Sequence, residues 1–392
     1  MRSLIIAVLL LGPISFATAQ ENNRQNSLSE YLEQLAMLGF DEYDIADISE
    51  EIDDLLSNPV RINSKSRKEI ERLFFLTSFQ VQSLLNYTYS KGALLSAFEL
   101  RYITGFDREL AMLIQDYITF DTDNSSGRSY PRTQLISSII YSTRDTLDYP
   151  GSKIKAITRI KHEKGRLAFR LTYEKDKGET WLYKKYVPEF LSGGIELKGS
   201  GQTPDIIIGD YRVRFGQGLT VWHGYSPGNS PLNPNPIRGS SRIIPYASSD
   251  ENNYFRGLAA TGNRNILSYN IYLSANRIDA STDFTADSNL FIKTLYDSGL
   301  HNTSSGLNKR NTLTEYSAGL NLNANFKRYN LGVSVTGTHF NSPLSPTEST
   351  ETKYDFRGSG NLVIALDHAV SLNKIYLYGE SAINSGGSFA SI

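Results

Sequence analysis

Thr104-Gly105-Phe106-Asp107-Arg108 forms a turn whose residue types and spacing suit phosphate binding. Gly105 lets the backbone approach an anion closely, and N–H groups at the start of a following helix point outward to meet it. An earlier turn, Leu76-Thr77-Ser78-Phe79-Gln80, offers the same arrangement through Ser78 and Phe79, but without a glycine. Lys65, Arg67, Lys68, Arg101 and Arg108 supply cations nearby. Contacts of this kind hold phosphates without reading bases, so one reading is non-specific DNA binding; the other is a compact helical module that docks onto protein or plugs a barrel. Asp107 works against the first, because a carboxylate repels phosphate; it also suits the N-cap of a helix starting at Arg108.

A second constellation lies further along. Asp210, Arg212, Arg214, Arg242, Asp250, Glu251 and Arg256 could form a charged network. Two readings follow: a structural network that fixes an inward-folded loop, or an arginine-lined constriction that favours anionic solutes. The loop would be Ser226–Pro236, whose four prolines bar it from a central strand. Enzyme chemistry finds little support. His162, His223, His301, His339 and His368 lie far apart, with no partner at metal-ligand spacing. No nucleophile elbow, phosphate loop or dinucleotide fingerprint occurs. The chain reads as non-enzymatic, with no catalytic residue, metal or cofactor.

The elements that carry these residues change character along the chain. Arg2, the apolar run Leu4–Leu11 and Ala17-Thr18-Ala19 read as a secretory signal over 1–19. Residues 20–58 follow a helical period and hold eleven acidic residues against one arginine. That acidic face is either solvated or a contact for a basic partner. Residues 59–120 carry eight basic and six acidic residues and read as two helix-turn-helix units: Ser66–Phe75 with Gln80–Lys91, and Ala97–Ile103 with Arg108–Ile118. Residues 121–132 read as a polar linker.

From 133 to 392 the period shortens towards strand alternation. Strands are expected at Gln134–Ser142, Lys153–His162, Arg166–Lys175, Asp205–Val213, Tyr254–Thr261, Leu267–Arg277, Tyr316–Phe326, Tyr329–Phe340, Phe356–Leu366 and Lys374–Ser381. Many have the length a tilted strand needs to cross a bilayer, and short turns alternate with long polar loops. The 24 Tyr and 18 Phe in 392 residues fit that reading. With zero cysteines there are no disulfides, and the net charge of −1 gives no global attraction to nucleic acid. After the signal no apolar helical span follows, so membrane entry requires a closed β-barrel. A soluble β-sandwich is the alternative. The chain stops soon after a strand, which suggests an amino-terminal portion of a longer barrel.

Val60–Ser66, Tyr89–Leu100 and Ile103–Asp107 together resemble the tandem helix-hairpin-helix module of the ComEA-like competence proteins, with both hairpins in order. Ile208–Trp222, Gly224–Gly228, Arg242–Tyr246 and Asp250–Gly257 resemble the barrel portion of helix-hairpin-helix-containing outer-membrane proteins of Bacteroidetes. The resemblance implies an α+β multidomain chain: an N-terminal all-α tandem helix-hairpin-helix module in the periplasm, then an antiparallel transmembrane β-barrel, apparently truncated. The implied partners are outer-membrane lipid, DNA and other envelope proteins. DNA held for uptake, a transport or assembly barrel whose module docks protein, and a passive porin are the three functional expectations.

Overall fold

The computed structural model describes residues 51–121, 131–141, 151–183, 187–224, 238–284, 288–372 and 375–392, apart from single positions 53, 57, 75, 201, 239, 327 and 351. The expected signal segment, most of the acidic segment and of the linker, and the proline-rich loop lie outside the described residues.

Residues 51–121 make a small lobe. Its described positions in 51–56 are helical. There follow β1 (Val60–Arg61), α1 (Arg67–Ile70), α2 (Ser78–Lys91), a 3-10 turn (Ala97–Tyr102), α3 (Arg108–Ile114), a second 3-10 turn (Gln115–Tyr117) and β2 (Ile118–Thr119). Thr77 starts α2 through a reciprocal capping box with Gln80, satisfying two N–H groups that would otherwise lack partners. Asp107 caps α3 by accepting from the Leu110 N–H at 2.7 Å. Val60, Ile62, Ile70, Leu73, Val81, Leu84, Leu100 and Ile114 close the core.

The expected all-α tandem module is not what forms. Only four residues of Ser66–Phe75 become α1, and Ala97–Ile103 winds as a 3-10 turn. Segments this short gain too few backbone bonds to sustain an α-helix by themselves. The extended lead also pairs as a strand: β1 runs parallel to β2, with Val60 opposite Ile118. Asn63 holds the two ends together, its amide donating to the Leu94 and Phe120 carbonyls, both at 2.9 Å.

Strand dominates the remainder: β3 (Arg132–Tyr141), β4 (Ile154–Lys164), β5 (Leu167–Lys175), β6 (Leu182–Tyr183), β7 (Val187–Pro188), β8 (Phe190–Leu197), β9 (Asp205–Arg214), β10 (Arg242–Pro245), β11 (Phe255–Arg264), β12 (Leu267–Ile278), β13 (Ala280–Phe284) and β14 (Leu290–Leu295). After the short helix α4 (Ser304–Lys309) come β15 (Leu313–Asn325), β16 (Tyr329–Leu344), β17 (Gly358–Leu372), β18 (Ile375–Asn384) and β19 (Phe389–Ser391). One large sheet runs β19-β18-β17-β16-β15-β12-β11-β9-β8-β5-β4-β3, each neighbour antiparallel. A closed barrel was the expectation, yet β3 and β19 each keep one edge without a partner strand among the described residues, so the sheet is open. Short turns join strands at the end holding residues 165, 265 and 328, and the long connections lie at the opposite end.

The faces of this sheet are reversed relative to a water-soluble one. Along β12, Leu267, Ile271, Leu273 and Ala275 are exposed, while Asn270, Tyr272, Ser274 and Asn276 are buried. Register carries the pattern sideways. Leu167, Leu197, Ile206, Ala260, Ile271, Leu320, Val335, Ile364 and Ile383 lie side by side across nine strands on the outer face. On the inner face Thr261, Asn270, Asn321 and Ser334 form a hydrogen-bonded ladder across β11, β12, β15 and β16, with spacings of 2.8, 3.0 and 3.0 Å.

Candidate functional site

The inner face is not empty. Gly194, Gly209 and Gly257 lie in register across β8, β9 and β11. Gly209 has φ +114°, and a Cβ there would stand 2.3 Å from the Gly193 carbonyl oxygen. Only glycine fits so close an approach in this conformation. Past this seam β9 leaves β8 and pairs with β10 instead, Val213 opposite Ile243. Residues 213–223 fold back as a hairpin, the Phe215 and His223 N–H groups donating to the Val221 and Val213 carbonyls. Tyr211, Val213, Phe215, Ile243, Phe255 and Tyr272 pack it against the wall. From the far side of the sheet, Glu380 of β18 accepts the Gln217 and Leu219 N–H groups at 2.6 and 3.1 Å.

This inner layer brings Arg212, Arg214 and Arg242 to the acidic turn of the lobe. Arg214 Nη2 meets Glu51 Oε1 at 2.8 Å, and Arg242 Nη2 meets Glu51 Oε2 at 2.6 Å. Arg212 lies over the Tyr246 ring, 4.6 Å from its centre. Burial alone would raise the Glu51 carboxyl; Arg214 and Arg242 outweigh it and hold the group at about 2. Asp54 behaves alike, its burial overcome by Lys161 and Arg72, which also hold it at about 2. Asp54 pairs with Lys161 of β4, and Lys68 pairs with Asp205 at the start of β9. Both strand positions lie near the short turns, so the lobe sits at that mouth of the sheet. Burial keeps His223 neutral, with Arg212 and Arg214 lowering it further to about 3, so it adds no charge.

Several of the phosphate candidates have partners within the protein. Arg67 pairs with Glu71 at 2.7 Å, Lys68 with Asp205, and Lys65 lies 5.4 Å from the centre of the Tyr89 ring. Gly105 owes its place to packing: a Cβ there would meet the Phe79 ring at 2.6 Å. Its carbonyl accepts from the Gln80 amide. Thr104, Asp107 and Arg108 are exposed, Phe106 is buried, and Ser78 opens α2.

The expected network of seven charges is dispersed. Arg212, Arg214 and Arg242 gather around Glu51. Arg256 and Asp210 form a separate fork at 2.6 and 2.9 Å. Asp250 holds its own turn by accepting from the Asn252 N–H. Glu251 belongs to a cluster that sequence reasoning missed, at the long-loop end. There the His301 ring nitrogens meet Glu189 Oε1 at 2.8 Å and Asp279 Oδ2 at 2.6 Å, with Glu251 Oε2 at 3.7 Å. Glu179 accepts the His301 N–H, and Arg310 pairs with Glu189 at 2.6 Å. Ligand atoms of Glu179, Glu189 and His301 lie within 4.8 Å of one another, as do those of Glu251, Asp279 and His301, a spread in either group that suits a cation. Burial would lower His301, but bonds to Asp279 and Glu189 prevail and raise it to about 9, so the imidazolium and Arg310 supply that positive charge. No sequence signal marks this cluster: Glu179 lies 122 residues from His301.

No protein-family model and no curated protein matches the chain, so the helix-hairpin-helix and Bacteroidetes resemblances gain no support. Among solved structures, the chain overlaps a loop-deletion mutant of OmpT, an outer membrane protein of Vibrio cholerae, at 10% identity over 67% of this chain and 85% of that one, TM-score 0.26. An anion-selective porin from Comamonas acidovorans overlaps at 14% identity over 67% and 82%, TM-score 0.25. OccAB3 from Acinetobacter baumannii overlaps at 11% identity over 67% of each chain, TM-score 0.20. Overlaps this loose carry no argument; the reading below rests on strand register and on the side chains each face presents.

Proposed function

We propose that the chain is a non-enzymatic outer-membrane protein whose sheet is the lipid-facing wall of a transport or assembly barrel, with the N-terminal lobe seated in its mouth. One observation carries this: nine adjacent strands present an apolar row outward while the inner side carries hydrogen-bonded asparagines and ion pairs. In water such an outer face would drive aggregation, whereas lipid requires it. On this reading the short turns face the periplasm, as they do in such proteins, and the lobe lies on the same side.

The lobe's contacts favour docking on protein, here its own sheet, over docking on DNA. A duplex would have to compete for Arg67 and Lys68, which already have carboxylate partners. An open porin fits less well, because the hairpin occupies the inner side and the lobe sits at its mouth.

Purified full-length protein should need detergent to stay monomeric and should migrate faster on gels unheated than boiled. Leu273→Arg, on the outer face, should destabilise the folded form in bilayers by about 2–4 kcal/mol, as charges at mid-depth of a barrel wall do. A monomer freely soluble without detergent overturns the reading.

A further inference from the structure

We propose that Asn323, Asp367 and Glu380 form a binding site for a hard divalent cation of the Ca²⁺ class, on the inner face beneath the hairpin tip. The inference goes beyond the reading above and does not depend on lipid, because strand register alone assembles the site.

Asn323, Gly332, Asp367 and Glu380 stand opposite one another in turn across β15, β16, β17 and β18. Directly opposed side chains have Cβ atoms about 4.5–5.5 Å apart, and like charges placed so repel. Asp367 and Glu380 are such a pair. Gly332 keeps the space between Asn323 and Asp367 open: a Cβ there would collide with Asn323 Oδ1 and Asp367 Oδ1 alike. Two acceptor oxygens therefore converge on one small volume. The asparagine ladder sets which end of the Asn323 amide points there. Its Nδ2 donates to Asn321 Oδ1 at 2.6 Å, and Asn321 Nδ2 donates to Ser334 Oγ at 3.0 Å, so the Asn323 oxygen is the end that meets Asp367.

The carboxylates lack donors where they face inward. Asp367 Oδ1 and Glu380 Oε1 are buried with no hydrogen-bond partner among the described residues. Glu380 is 0% exposed, and its Oε2 is taken by the Gln217 and Leu219 N–H groups. Arg238 attracts Glu380 but stacks over the Trp222 ring, 4.8 Å from its centre, and makes no ion pair with it among the described residues. The stretch 225–237 contains no lysine, arginine or histidine. Buried carboxylates persist where they are paired or coordinate a metal. Two carboxylates and an amide carbonyl make an all-oxygen donor set, which suits a hard cation; Ca²⁺ tolerates irregular geometry and completes its shell with water. The ion would tie β15 and β17 to the hairpin tip through the carboxyl that already holds the Gln217 and Leu219 amides.

The test uses the full chain in detergent, stripped with a chelator, dialysed and titrated calorimetrically with Ca²⁺ alone. The wild type should bind, and Asp367→Asn should weaken that binding at least about tenfold, because Ca²⁺ affinity follows the charge of its ligands. On the wild type, hydrogen exchange of the Gln217 and Leu219 amides should slow with Ca²⁺ and not with Na⁺ at equal ionic strength, a measurement that needs no variant to fold. No binding, equal Ca²⁺ affinity in wild type and Asp367→Asn, or exchange at those amides that ignores Ca²⁺ overturns the site and leaves the two carboxyls to share a proton. Detergent-free solubility of the same preparation would sink only the membrane reading, and the titration would then run in buffer, so the two failures are separable.

Discussion

Glu51 and Asp54 give the residue scale its clearest consequence. Both carboxyls stand below their unfolded values, so their contribution is fully present above about 4.5 and is lost as pH falls towards about 2. The lobe should therefore stay docked at neutral and mildly acidic pH and separate between pH 4 and 2, with hydrogen exchange at 51–56 rising in that window. Exchange that stays flat down to pH 2 would mean the ion pairs do not hold the lobe. Parts of this were legible in sequence. The acidic run raised the possibility of a basic partner, and Arg212, Arg214 and Arg242 were among the seven charges expected to form a network. Nothing local could join them, because the pairing spans the whole distance from lobe to inner hairpin and depends on a strand leaving its neighbour.

At the scale of elements, alternation announced ten of the wall strands, since outward apolar and inward polar residues must alternate wherever a strand separates two media. It missed the short strands β6, β7, β13, β14 and β19, and beside the glycine seam it missed two more: β8, where Gly193-Gly194 interrupts the pattern, and β10, which is only four residues long and ends at Pro245. Those two misses share a cause: the glycine seam ends the regular wall and starts the inner layer. Gly209→Ala should cost about 1–3 kcal/mol from backbone conformation alone, with more from the Gly193 contact. It should also loosen the inner hairpin, quenching or shifting Trp222 emission, while Gly92→Ala, with open space around its Cβ, leaves that signal unchanged. In the lobe, helical periodicity found α2 and α3 but overestimated their neighbours, because Asn63 and the β1–β2 pair draw the ends into extended backbone.

At the scale of the whole molecule, His301 ties together residues from several long connections: Glu179 and Glu189 before β8, Glu251 before β11, and Asp279 after β12. Its pKa is raised to about 9, so the stability it brings is fully present below about 6.5 and disappears as pH climbs through 9. Protease cleavage of the long connections should speed up above pH 9, and His301→Gln should show that fast cleavage already at pH 7. A variant as resistant as the wild type at pH 7 would remove the clasp.

Glu380 sets an order of events. Its grip on the hairpin tip joins residues 163 and 161 positions apart, bridging the sheet's interior instead of following its seams. Neighbouring strands can zip with modest chain loss, but a brace of that span has nothing to grasp until the wall has curled around it. The tip should be the last piece to set, leaving a late species with finished sides and an unsettled heart.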